Sequence, residues 1–161
     1  IGPGRKIEKG NKSIWEPIEA VVSSMQGGGL NLDTMHAGGL CGMATFLDPS
    51  ITTSDNLSGQ VVARKGDLPE IHNTVSIEVN LMEKMVAGDG EAPEKIQPLR
   101  NNEMLMLNVA TATSVGVTRN AEKGRTDLDL RLPICADKGQ RISLSRRIGS
   151  RWRLIGYGTI V

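Results

Sequence analysis

Aromatic side chains are almost missing: Trp15, Phe46, Trp152 and Tyr157 are the whole set. The core must therefore be aliphatic, and Val, Ile and Leu dominate it. Only two cysteines occur, Cys41 and Cys135, far apart and outside any CxxC spacing. That argues against a structural zinc site and a disulfide framework. Two buried thiols is the plain reading, and one long-range disulfide is the other. No apolar run approaches the roughly 20 residues needed to cross a bilayer. No secretory signal is visible, so the chain reads as cytoplasmic. Neither His36 nor His72 has a second ligand at metal spacing, so no metal site is expected. Asp48, Asp55 and Asp67 sit among Pro, Ser and Gly as turn caps. No Ser/His/Asp or Cys/His arrangement emerges, so no catalytic residue is assigned. The chain starts at Ile1 instead of Met, which reads as a fragment or a processed product.

What is present points to an all-β protein of one ordinary or two small domains. Nineteen glycines suit many tight turns. Val75, Ile77, Val79 and Leu81 alternate with Thr74, Ser76, Glu78 and Asn80, the period-two signature of a half-buried strand. Leu128, Leu130 and Leu132 alternate with Asp127, Asp129 and Arg131 in the same way, and Ile142 and Leu144 repeat it. Met104 to Val109 is a near-continuous apolar run, which predicts a strand buried on both faces. Val115 and Val117 continue the pattern after Ser114. Turn signals fall at Glu122-Lys123-Gly124, Asp137-Lys138-Gly139 and Ile148-Gly149-Ser150.

The first 70 residues are less regular. Ile14 to Met25 reads as one strand with Trp15 in the core. Leu40 to Phe46 and Gln60 to Ala63 read as two more, and Gly27-Gly28-Gly29 as a loop. Leu81 to Ala87 reads as a short helical turn, and Ala87 to Pro98 as a long solvated loop. The stretch from Lys65 to Pro69 is the expected domain boundary.

Charge is unevenly distributed. From Lys138 to Val161 there are six cations and no acid, although the whole chain carries only +1. A segregated basic stripe points to an anionic partner.

Several blocks resemble one family. The closing run from Leu144 through Arg146, Arg147, Arg151, Trp152 and Arg153 to Ile160 looks like the end of the gamma subunit of translation initiation factor two, archaeal type. It is similar, more distantly, to the last strands of elongation factor Tu. His36-Ala37-Gly38-Gly39-Leu40-Cys41-Gly42-Met43-Ala44-Thr45 with Leu47-Asp48-Pro49 resembles that subunit's second-domain signature. Ser58-Gly59-Gln60-Val61-Val62, Met104 to Val109 and Leu132-Pro133-Ile134-Cys135 agree with it in order.

The resemblance implies two small β-barrels of the translation-factor type. Residues 1–68 would form the second half of the second-domain barrel, truncated at its N-terminus, and residues 69–161 the third-domain barrel. The GTP-binding domain, holding GTP and Mg, would lie before Ile1, and no GxxxxGK[ST] sequence occurs in this chain. The chain is thus expected not to be an enzyme, although its parent resembles a GTPase. Implied partners are initiator methionyl-tRNA, the alpha subunit, the beta subunit through the missing domain, and the small ribosomal subunit. No membrane partner is implied. The alternative is a structural, ribosome-docking module of a related elongation-type GTPase.

Two candidate sites follow. In elongation factor Tu the turn matching Gly38, Gly39, Leu40 and Gly42 lies at the aminoacyl pocket. An apolar Leu40 there would suit a methionyl side chain. The competing reading puts Leu40 in the barrel core. Arg146, Arg147, Arg151 and Arg153 are candidates for RNA phosphates. Pairing with Asp127 and Asp129 is the alternative. If the last strand alternates, Arg151 and Arg153 share a face, and Arg146 and Arg147 do not. Trp152 reads as a buried anchor, with base stacking as the alternative. The loop from Gly27 to Met35 is a plausible docking element for the alpha subunit.

Overall fold

A computed structural model describes residues 1–10, 12–85, 94–122 and 124–161. The fold is all-β and has two unlike parts. Strands β6 (Ile71–Leu81), β7 (Met104–Val109), β8 (Ala112–Glu122), β9 (Arg125–Cys135), β10 (Arg141–Ile148) and β11 (Arg151–Ile160) close into an antiparallel barrel. Their order around the barrel is β10-β11-β6-β9-β8-β7.

Alternation builds the barrel core. Val75 and Ile77 from β6, Leu105, Leu107 and Val109 from β7, Leu128 from β9 and Ile142 and Leu144 from β10 are all buried. Each such side chain contributes about 1.5–3 kcal/mol on burial. The interior is narrow where β8 passes. There Ser114, Gly116 and Thr118 face inward, and Val115 and Val117 are only half-buried. A Cβ on Gly116 would come within 3.1–3.3 Å of Leu130, Leu107 and Leu128. Only small residues fit that face, so β8 is inverted relative to the apolar pattern of its sequence. Gly156 has a harder constraint: a Cβ there would lie 2.2 Å from the Asn80 carbonyl oxygen.

Three register shifts interrupt the barrel pairing, and those on β11 and β9 near the basic hairpin and Leu132 change which residues face outward. Between Ser145 and Leu144 on β10, β11 inserts Ile155, so Leu144 pairs with Gly156 but Ser145 pairs with Leu154. The Ile155 carbonyl accepts instead from Met82 N, 2.9 Å away. On β9 the pairing with β6 jumps from Asp129 to Ile134. Pro133 lies in that gap and has no N–H to donate. The alternation therefore fails past Leu130, and Leu132 is 52% exposed.

The first 70 residues form two open sheets rather than a closed one. A hairpin pairs β1 (Arg5–Lys9) with β2 (Lys12–Glu16). A second sheet runs β4 (Leu30–Asn31), β3 (Val22–Gly27), β5 (Cys41–Thr45). A helical turn α1 (Pro49–Thr52) follows, capped by the Asp48 carboxylate, which accepts from Ser50 N at 2.8 Å. That bond, and then the Ser50 hydroxyl, hold the Asp48 carboxyl below its ordinary pKa.

Several expectations need correction. The single strand over Ile14 to Met25 is two strands, broken at Pro17. Ile18 is buried there and exchanges two backbone bonds with Ile1. Trp15 is half-buried, not core. Over Gln60 to Ala63 only Val61 pairs, with Gly2. β7 is buried on one face, with Met104, Met106 and Asn108 outward. Among the described residues no helical turn follows Leu81; Lys84 instead bridges Lys95. Val86 and Ala87 of that turn, the loop as far as Pro93, and Lys123 lie outside the described residues. Cys41 is exposed and Cys135 buried, and both are free thiols. Burial raises the Cys135 thiol pKa, with slight opposition from the N-terminal charge. Among the described residues no helix is long and apolar enough to cross a membrane.

Candidate functional site

The glycine turn expected from the sequence is fully presented. Gly38 and Gly39 adopt φ of 104° and 98°, which side-chain-bearing residues rarely reach. No described residue lies within 4 Å of a Cβ at either position, so conformation alone calls for glycine there. The turn delivers Leu40 at 95% exposure, immediately before β5. Within these residues Leu40 is therefore not packed in a core.

Behind the turn is an open hollow of about 270 Å³. Its lining joins Gly38, Gly39, Leu40 and Cys41 to Gly27, Gly28, Leu32, Met35 and His36. The β3–β4 turn, with Gly28 and Gly29 at φ of 59° and 79°, brings the second set back against the first. Leu32 N donates to Met25 O at 2.9 Å, and Gln26 Nε2 to Asn31 Oδ1 at 3.0 Å. Gly42 lies on β5 beside the hollow and pairs with Gln26. The two sequence elements assigned to aminoacyl binding and to subunit docking thus share one hollow. Its size falls below the about 300–1,000 Å³ of pockets that enclose whole small molecules.

The basic hairpin separates into unlike arginines. Arg146 donates to both Glu103 carboxylate oxygens, and to the carbonyls of Gln97 at 2.9 Å and Pro98 at 3.2 Å. Both side chains of the pair are 17% exposed. Glu103 also accepts from Arg100 N at 3.0 Å. Arg146 therefore fastens the segment before β7 across the barrel end, and has no free donor face for a phosphate. Asp127 and Asp129 are not its partners. Asp129 pairs with Arg119 at 2.9 Å. Asp127 accepts from Ser76 at 2.6 Å and Asn120 at 3.1 Å, which lower its carboxyl pKa in that order.

The register places Arg146 opposite Arg153, Arg147 opposite Trp152, and Ile148 opposite Arg151. Arg151 and Arg153 do share a face, and Arg147 lies on the other. Arg147 and Arg151 are exposed; Arg153 and Trp152 are half-buried. Arg141 is placed over the Tyr157 ring, 5.1 Å from its centroid. Sequence reasoning missed Glu103, because nothing local links it to Arg146, 43 residues away.

The closed barrel with its flanking sheets is a translation-factor β-barrel module. It superposes on the bacterial selenocysteine-specific elongation factor EF-Sec with a TM-score of 0.59, at 14% identity, over 89% of this chain and 21% of that one. The sequence of residues 73–160 matches the family described as initiation factor eIF2 gamma, C terminal. Translation initiation factor 2 subunit gamma of Methanococcus aeolicus is 51% identical over 160 residues, 99% of this chain. The Methanocaldococcus jannaschii and Haloarcula marismortui subunits are 48% and 44% identical over 99% of it. The chain belongs to the gamma subunit family of translation initiation factor 2 and corresponds to its C-terminal part. It spans about two fifths of the length of these relatives, 38% of the Methanococcus aeolicus subunit.

Proposed function

We propose that this chain is the part of a GTP-dependent initiation factor that grips methionylated initiator tRNA, docks the alpha subunit and helps deliver the tRNA to the small ribosomal subunit. The observation that carries this reading is the hollow at Leu40. An exposed, glycine-framed apolar side chain beside Leu32 and Met35 offers a thioether a soft aliphatic surface. GTP and Mg would bind in another domain of the whole protein, which would supply the GTPase and the contact with the beta subunit. Residues 1–68 would be part of a second-domain barrel completed by strands elsewhere in that protein. The exposure of Leu30 and Phe46 supports this. Residues 69–161 would be the third domain.

Of the arginine stripe, Arg151 would meet RNA phosphate, with Arg153 on the same face. The ribosome-docking alternative would direct these arginines to ribosomal RNA instead.

The test is Leu40→Glu in the whole heterotrimeric factor. Its affinity for methionylated and for deacylated initiator tRNA would be measured by filter binding, and alpha-subunit binding by calorimetry. We expect the methionyl preference to fall at least tenfold while deacylated tRNA binds as before. An unchanged preference sinks the pocket. Loss of alpha binding alone would reassign the hollow to subunit docking.

A further inference from the structure

Among the described residues, the outer wall of the barrel over β10, β7 and β8 is largely apolar and partly exposed. Register places Leu154, Ser145, Met106 and Val115 in one row across four strands. Met104 and Val117 pair in the next row along, on the same outward side. Met104 and Leu154 are 41% and 44% exposed, and Met106, Val115 and Val117 are half-buried. Trp152 follows Leu154 on that face of β11, opposite Arg147. Strands with one wet face ordinarily carry polar residues there. The neighbouring row obeys that rule: Asn80, Tyr157, Ser143, Asn108 and Thr113 run across the same strands. Within it Thr113 donates to Asn108 at 2.8 Å and Asn108 to Ser143 at 3.3 Å.

Among the described residues, the free charges around the apolar wall are of one sign. Arg147 flanks it on β10 and Arg131 flanks it on β9, and both are exposed. The nearby carboxylates are already engaged, Asp129 by Arg119 and Glu103 by Arg146. A closed barrel has no free strand edge to extend. Only side chains laid on this wall can cover it. Among the described residues, Trp152 at its margin is the one aromatic there; the aliphatic and thioether side chains that make up the rest give bases little to stack on.

We infer that this wall docks an acidic amphipathic segment of a partner polypeptide. The partner's aliphatic residues would lie over Met104, Met106, Val115 and Leu154, and its Asp or Glu residues would reach Arg131 and Arg147. This surface is separate from the Leu40 hollow and from the face of Arg151, so it stands or falls independently of the tRNA reading.

The test uses the 161-residue chain and a fluorescein-labelled synthetic peptide of alternating Leu and Glu. The controls are its Leu/Lys and Ser/Glu counterparts and a short RNA hairpin. Anisotropy should saturate with the Leu/Glu peptide at least tenfold more tightly than with either peptide control. Arg147→Glu and Arg131→Glu, both at exposed positions that leave the core intact, should each weaken it several-fold. Met106→Asp should abolish it, with circular dichroism confirming an unchanged fold. Equal binding of the three peptides, or no response to the arginine variants, overturns the proposal. So does tighter binding of the RNA hairpin that is lost in Arg147→Glu. Self-association of the chain that vanishes in Met106→Asp also overturns it, by assigning the wall to a second copy.

Discussion

The barrel and the first 70 residues obey opposite rules. In the barrel, alternation hides the aliphatic side chains, the strands close, and a half-buried ion pair fastens the end. In the first part, two small sheets stay open and large apolar residues lie outside: Leu40 at 95% exposure and Phe46 at 79%. Apolar residues arranged that way contribute little to stability where they are. Under the proposed function, Leu30 and Phe46 would be covered by the strands that complete the second-domain barrel, and Leu40 by the aminoacyl group. The difference suggests a division of labour in which the barrel carries the stability and the first part carries recognition.

The strongest way to break this comparison is to truncate one Leu in each region. Leu107→Ala should cost about 2–5 kcal/mol, because the barrel leaves a cavity that cannot collapse fully. Leu40→Ala should stay within about 0.5 kcal/mol. Chemical denaturation of both variants checks this, and similar losses would erase the contrast. Next comes Arg146→Ala, which leaves Glu103 unpaired at the barrel end. We expect about 3 kcal/mol of destabilisation, and little rescue by Arg146→Lys, since a single ammonium cannot reach both the carboxylate and two carbonyls.

The thiols sharpen the comparison further. Burial pushes the Cys135 thiol up, so above its ordinary value of 9.0 it resists ionisation in the fold while the unfolded chain ionises. Its contribution is present below the ordinary thiol pKa and declines as pH rises above it. Cys41 should react with a maleimide at the rate of a free peptide thiol, and Cys135 at least tenfold more slowly. The smallest effect is at Asp127. Its lowered carboxyl contributes stability above the ordinary value of 3.8, and that contribution is lost as pH falls below it. Asp127→Asn should flatten the acid limb of a melting-temperature profile between about pH 6 and pH 2.

Much of the barrel was readable because β6 and β10 each bury one face, and period two reports that directly. β7 and β8 misled for a physical reason. Met104, Met106, Val115 and Val117 are apolar yet outward, whereas Ser114, Gly116 and Thr118 are small or polar yet inward. Apolar patterning cannot tell a core face from an uncovered wall. Bulges were invisible too, since the extra residue at Ile155 changes pairing without changing composition. In the candidate site, the glycine turn was legible because positive φ needs glycine. The sorting of four adjacent arginines was not, because it depends on Glu103 and on a register set by the bulge.

The division of labour is tested most directly by two readouts on two variants. In the whole factor, melting temperature and methionyl-tRNA affinity would be measured for Leu40→Ala and for Arg146→Ala. The account predicts that Leu40→Ala weakens methionyl-tRNA binding and leaves the melting temperature alone, whereas Arg146→Ala lowers the melting temperature and leaves binding of the still-folded factor unchanged. The reverse pairing, or two variants that move both readouts together, would contradict it.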